Sequence, residues 1–407
     1  YSNNKVRLPL SDNIATGLII SSWLATPGRA YPFPAGLNYF TIKPEVFNAY
    51  ENITETDREI LGANAEYRFT PSLTTKLRVG YDFSSGQAVV YFPPAVPGTN
   101  PFTARASFDY DNTKGLMAEG RPLVRNLTAD WTGQYRRDIS SSLSSTASVG
   151  AQLLRNSVQR TETYGQDLGA EGVRSINAAA VTWGDQSFSE QKSIGLYAQE
   201  QVAWRDRLFV TGAVRMDNNS AFGSKLNRVF YPKLSASWVI SEEDFFKVPK
   251  VDQMRVRAAW GQAGNSPGPF DAVRAYTVAV ATGQSTTSSA LRYSTLGNPD
   301  LKPERATEIE LGFETGLYKG RLSIDVSYYN SKTRDALLPV DVAPSTGFSG
   351  TQLRNLGTIS NSGFELLVNA TPYENSFLSW QATLTASTNR NRLVSFGDTR
   401  APIVLTV

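Results

Sequence analysis

Ser189 and Lys192 lie three residues apart in Ser-Glu-Gln-Lys. In this S-x-x-K spacing a lysine can activate a serine for acyl transfer, and Ser11-Asp12-Asn13 supplies the S-D-N triplet that accompanies it in serine acylases. The order is inverted, no K-T-G follows, and Ser189 falls where a strand pattern begins rather than a helix. Gly347-Phe348-Ser349-Gly350 is one residue short of the G-x-S-x-G elbow. Its serine would also lack a base, because the 407 residues contain no His and no Cys, which removes Ser–His catalysis and thiolate or imidazole metal sites together. Asp109, Asp111 and Thr113 begin like a calcium loop, but the glycine comes one position late and no Glu closes it. No phosphate-binding P-loop is present. Ser241 followed by Glu242, Glu243 and Asp244 reads as an N-cap and first helical turn. These residues assign no catalytic group, no metal and no cofactor, and the chain reads as a non-enzyme.

The elements that carry these residues have a period of two. In 306–331, Thr307, Ile309, Leu311 and Phe313 alternate with Glu308, Glu310 and Glu314. After a Tyr-Lys-Gly-Arg turn, Leu322, Ile324, Val326 and Tyr328 alternate with Ser323, Asp325 and Ser327. This is a hairpin with one apolar and one polar face. Five further pairs follow the same rule: 59–69 with 73–81, 125–136 with 142–154, 193–204 with 208–217, 231–240 with 254–260, and 357–371 with 377–389. Connections within pairs are short, and those between pairs (83–120, 156–190, 262–303, 332–356) are long and rich in Gly, Pro, Ser, Thr and Asn. That alternation predicts an all-β, antiparallel transmembrane barrel with about twelve visible strands, short periplasmic turns and long extracellular loops.

In such a barrel the apolar face meets lipid and the polar face meets a wet lumen. A dry core would have to bury Arg215, Asp217, Arg255, Arg257, Glu308, Glu310, Glu314, Asp325, Glu365 and Asn369, at several kcal/mol per unpaired ion. They are therefore expected to line the lumen. Trp131, Trp204, Trp238, Tyr328 and Trp380 lie near strand ends or on the apolar phase, as membrane-interface aromatics do. In the long connections, Tyr91, Phe92, Tyr276 and Tyr293 are candidates for stacking on a solute. No stretch reaches the roughly 18 apolar residues of a membrane helix, and the run at 14–24 is broken by Gly and Ser. A net charge of +3 is too small to point to nucleic acid.

Several ordered segments carry a family likeness. "YAQEQVAWRDRLFVTGAVRMDNNSAFG" resembles TonB-dependent receptors at large. "YPKLSASWVISEEDFF" followed by "RVRAAWGQAGN", "LGNPDLKPERATEIELGFETGLYKGRLSIDVSYYNSKTRDAL", and "NLGTISNSGFELLVNA" with "LSWQATLTASTNRNRLVSF" resemble the SusC/RagA-type TonB-linked outer-membrane transporters. The likeness runs from about 59 to 396. It implies an outer-membrane barrel of 22 strands around a plug, powered through TonB, covered by a SusD-like lipoprotein, and importing oligosaccharides or peptides. The chain is then expected to be a fragment lacking the plug and the closing strands, with 1–58 a strand end and extracellular loop and 59–407 barrel. A siderophore or cobalamin receptor and a non-transporting structural or adhesin barrel are the alternative readings.

Overall fold

The computed structural model describes residues 1–7, 51–94, 115–170, 172–226, 228–282 and 287–397. The Ser11–Asn13 triplet, the apolar run at 14–24 and Asp109, Asp111 and Thr113 fall outside them, as does most of 1–58. The strands are β1 (Ser2–Arg7), β2 (Glu51–Thr70), β3 (Leu73–Phe92), β4 (Leu116–Ser140), β5 (Leu143–Leu168), β6 (Ala179–Trp204), β7 (Leu208–Asn219), β8 (Val229–Val239), β9 (Val251–Asn265), β10 (Ala275–Thr282), β11 (Thr287–Thr295), β12 (Glu304–Leu317), β13 (Leu322–Arg334), β14 (Leu337–Asp341), β15 (Thr351–Asn355), β16 (Thr358–Glu374) and β17 (Ser379–Ser395).

Among the described residues one sheet holds thirteen strands, ordered β1 through β9, then β12, β13, β16 and β17; β10–β11 and β14–β15 form separate two-stranded ribbons. All six expected hairpins are present. The structure divides into two compact units. One comprises 1–63, 80–127 and 155–190; the other comprises 64–79, 128–154 and 191–407.

The strands are longer than the alternation predicts. β4, β5 and β6 run for 25, 26 and 26 residues, whereas about 9–11 tilted residues cross a bilayer. Much of the expected loop at 83–120 and 156–190 is therefore continued ladder. The apolar contrast ends where both faces are wet, but Thr-, Val- and Tyr-rich stretches such as Ser157–Tyr164 still favour extended backbone. The tight turns have identifiable chemistry. Arg205 and Asp206 sit at φ +52° and +53°, and the Arg207 N–H donates to the Trp204 carbonyl at 3.0 Å, the two-residue turn with both centres left-handed that matches strand twist. Ser241 does not cap a helix. Residues Ile240–Glu242 form one 3₁₀ turn with Val239 at its N-cap and no side-chain cap, because the turn is too short to leave a row of free amides.

In the second unit the burial pattern is the inverse of a soluble protein's. Ile309, Leu311 and Phe364 are about half exposed, at 48%, 50% and 56%, while on the opposite face of β12 Gly312 is buried. The one large side chain with no exposure among the described residues is Leu301, above the sheet. It belongs to a knot that ties the connections together. The Gly223 amide donates to the Leu301 carbonyl at 3.0 Å, and Asn298 Nδ2 donates to the Leu353 carbonyl at 2.9 Å. Asn355 accepts from the Lys302 amide and donates to the Lys302 carbonyl, both at 2.8 Å.

Candidate functional site: the polar face of the sheet

The register brings the expected polar residues of β9, β12, β13 and β16 into rows. Arg255 lies opposite Glu314, which lies opposite Asp325; Arg257 lies opposite Gly312, then Ser327, then Glu365. Opposed residues share a face, so the spacing of two in Arg255-Val-Arg257, Glu310-Leu-Gly312-Phe-Glu314 and Asp325-Val-Ser327 builds a two-dimensional charge array. Arg257 is its centre. Its two terminal nitrogens donate to Asp325 at 2.9 and 3.3 Å, in the bidentate geometry that favours a guanidinium over an ammonium. It also donates to Ser327 Oγ at 2.6 Å. Glu310 and Glu314 approach it at 3.7 and 3.9 Å, and Glu314 pairs closely with Arg255.

Gly312 makes the arrangement possible. A Cβ there would run into Arg257 Nε and Cγ, so the absent side chain is the bed on which the arginine lies flat. A cavity of about 430 Å³ opens beside the array between Arg257, Asp325, Ser327, Glu365 and Ser387.

A second array repeats the device. Arg215 Nε donates to Asp217 at 2.7 Å and its Nη2 to Gln152 at 2.8 Å, and Gln152 donates on to Asp130 at 2.6 Å. Gly195 lies opposite Asp217, and a Cβ there would collide with both charged groups. Asn369 accepts from Thr383 at 3.0 Å. Glu308 shares the phase of Glu310 but makes no ion pair among the described residues, and Glu365 lines the cavity without one. Gln152, Asp130 and the Gly312 and Gly195 beds are missing from the expected set. Their signal was an x-Gly-x flanked by charges in neighbouring strands, which becomes visible only once register is known.

The aromatics divide. Trp131 is 44% exposed and donates to Thr75 Oγ1 at 2.9 Å. Trp204 stacks under Arg205. Trp238 spends its N–H on Glu243 at 3.1 Å, Tyr328 packs on Phe364 with ring centres 4.8 Å apart, and Trp380 is 58% exposed. Tyr91 and Phe92 end β3 rather than sit in a loop. Tyr91 is 3% exposed, with Arg174 over its ring. Tyr276 and Tyr293 face each other across the β10–β11 ribbon with ring centres 5.1 Å apart.

Known proteins place this architecture. Residues 5–404 match the family model described as TonB dependent receptor-like, beta-barrel. TonB-dependent receptor P26 of Formosa agariphila is 29% identical over 313 residues, which is 73% of this chain and 31% of the relative. SusC of Bacteroides thetaiotaomicron is 28% identical over 195 residues, 46% of this chain and 19% of SusC. The chain thus spans about a third or less of these curated relatives. Among solved structures, the RagAB peptide transporter superposes with a TM-score of 0.77 at 19% identity, covering 86% of this chain and 38% of that one. The siderophore receptor PiuA of Acinetobacter baumannii gives 0.53 at 12% identity, covering 86% of this chain and 49% of that one.

Proposed function

From a chain that belongs to the TonB-dependent receptor-like β-barrel family, we infer part of the wall of an outer-membrane importer for bulky nutrients, oligosaccharide or peptide. The observation that carries this reading is the inverted sheet. Half-exposed leucine, isoleucine and phenylalanine cover one face, and an interlocked Arg–carboxylate array covers the other. Lipid suits the first and a hydrated passage the second.

In this reading Arg215, Asp217, Arg255, Arg257, Glu308, Glu310, Glu314, Asp325, Glu365 and Asn369 line the lumen, and residues 59–407 are barrel. Trp131, Trp204, Trp238, Tyr328 and Trp380 sit at headgroup level. Of the aromatics in the connections, the Tyr276–Tyr293 pair is best placed to meet a solute, since Tyr276 is 54% exposed. TonB as energy source and a SusD-like lipoprotein as lid complete the assembly. The likeness in sequence to SusC and in fold to RagAB supports oligosaccharide or peptide over iron chelates.

Single-cysteine labelling of the full-length protein tests the orientation. A fluorophore at Leu311→Cys should be quenched by brominated lipid, and one at Glu310→Cys by aqueous iodide. The reverse pattern would overturn the reading. Growth of a deletion strain on glycans, peptides or iron chelates then separates the solutes, and a defect confined to iron chelates would reject nutrient import.

A further inference from the structure

Many arginines and lysines of the sheet have an acidic partner, Arg58, Arg155, Arg215 and Arg257 among them. Three around the start of β8 and β12 do not. Arg228, Lys302 and Arg305 line one cavity of about 270 Å³, together with Leu226, Phe230 and Asp335. All three cations are exposed, and among the described residues none has a carboxylate within ion-pair distance. Neighbouring Lys225, by contrast, holds Asp300 at 2.6 Å. With Asp335 as the one carboxylate of the lining, the cavity carries an excess of two positive charges.

The position of the cavity identifies its ligand. Phe230 pairs with Met216 in the row pattern that puts Leu208 opposite Trp238 and Val210 opposite Ala236, and it is 55% exposed. Arg228 continues that phase. Arg305 is in phase with Thr307, Ile309 and Leu311. Arg228 and Arg305 therefore continue the apolar face, not the polar one, and Lys302 joins them from the connection that precedes β12. Arg228 stands ten positions before Trp238. At about 3.3 Å per residue and a tilt of about 40° this is about 25 Å along the membrane normal, the height of a barrel's apolar band. Arg305 stands twelve positions before Leu317, about 30 Å by the same measure.

We propose that Arg228, Lys302 and Arg305 form a binding site for the phosphate headgroup of an outer-leaflet lipid, whose acyl chains run down over Phe230 and Leu234. Phosphate takes several charge-assisted hydrogen bonds at once, which three convergent cations supply. The site rests on the apolar phase facing lipid, as proposed above.

The test uses the full-length protein in phosphatidylcholine vesicles with and without diphosphoryl lipid A, and reads lipid retained after detergent extraction by native mass spectrometry. The variant R228Q/K302Q/R305Q should retain about tenfold less lipid A. The charge-keeping R228K/K302R/R305K and the turn control Lys319→Gln should retain it as the parent does. Heat-modifiable migration on a gel verifies folding of each. Equal retention by the glutamine variant would overturn the site. Displacement of lipid A by millimolar inorganic phosphate would also overturn it, by marking a soluble-anion pocket. Lipid quenching at Leu311→Cys is read on the same samples. Quenching without lipid A retention sinks the site alone, and absent quenching sinks the orientation beneath it.

Discussion

Removing Arg257 should expose the logic of the polar array. Arg257→Ala deletes a bidentate bond to Asp325 and a third bond to Ser327, leaving Glu310, Glu314 and Asp325 to share Arg255. Hydrogen bonds to charged groups contribute about 1.5–3 kcal/mol each when buried. The Arg257 side chain is 28% exposed on a wet face, so solvent screening brings each of the three bonds below that range, to about 1 kcal/mol or less, and the expected loss is about 2–3 kcal/mol. Asp325→Asn in the same background should return part of it, with a coupling energy of about 1–2 kcal/mol in a double-mutant cycle. Gly312→Ala provides an independent check. Its methyl group would strike Arg257, at about 1–3 kcal/mol for overpacking in the parent, and should cost almost nothing once residue 257 is alanine. Urea unfolding of the full-length protein in liposomes, followed by tryptophan fluorescence, measures the five variants, Asp325→Asn alone included. A coupling between 257 and 325 within about 0.3 kcal/mol of zero, or an equal cost of Gly312→Ala in both backgrounds, would refute the reasoning.

Three further expectations follow from other parts of the molecule. Leu301→Ala should cost about 2–4 kcal/mol locally, read as faster amide exchange in 275–279, 288–295 and 337–355 with the β12–β13 ladder unchanged; uniform exchange across both would remove the knot from the account. Asp206→Gly should stabilise the β6–β7 turn by about 0.5–1 kcal/mol, because it relieves a left-handed non-glycine residue; a lower urea midpoint would contradict it. Arg58 Nε and Nη2 donate to the two Asp82 oxygens at 2.8 and 2.6 Å; Arg58→Ala should speed amide exchange around both residues by about threefold or more, and unchanged exchange would exclude the pair as a source of protection there.

The hairpins were legible because the physics that sets them is local. Alternation in 306–331 identifies two strands and their two faces, and Tyr-Lys-Gly-Arg gives the turn. The extent of β4 to β6 was not legible, because apolar alternation reports one dry face and vanishes where both faces are wet, although the backbone ladder continues. The ribbons β10–β11 and β14–β15 were hidden among Gly, Ser and Thr for the same reason. "LGNPDLKPE" stood out as a family segment, yet its role as a knot depends on Asn355 and Leu353, about fifty residues further on, which sequence alone does not bring to it. Ser241 misled because a Ser followed by acids signals a helix start only when at least one full α turn follows.

Four separate positions make one point about a wet barrel face. Gly312 lies under Arg257, Gly195 under Arg215 and Asp217, Gly150 under the Tyr197 ring, and Gly363 opposite Tyr329. In a dry core a glycine in a strand leaves a void and weakens packing. Among the described residues no second layer fills the space above the sheet, so a long side chain lies down across its neighbour strand where that neighbour has no Cβ. The array is therefore fixed by what glycine omits as much as by where the charges stand. Alternation supplies the charges and register supplies the beds, and a one-residue slip would put Phe313 or Leu311 under Arg257 and separate the arginine from Asp325. The apolar face already opposes that slip, because it would turn every oily side chain away from lipid; the ion pairs and the glycine bed add resistance to a two-residue slip between β9, β12 and β13, which would keep the oily face on lipid but set Glu310 or Glu314 in place of Gly312 under Arg257.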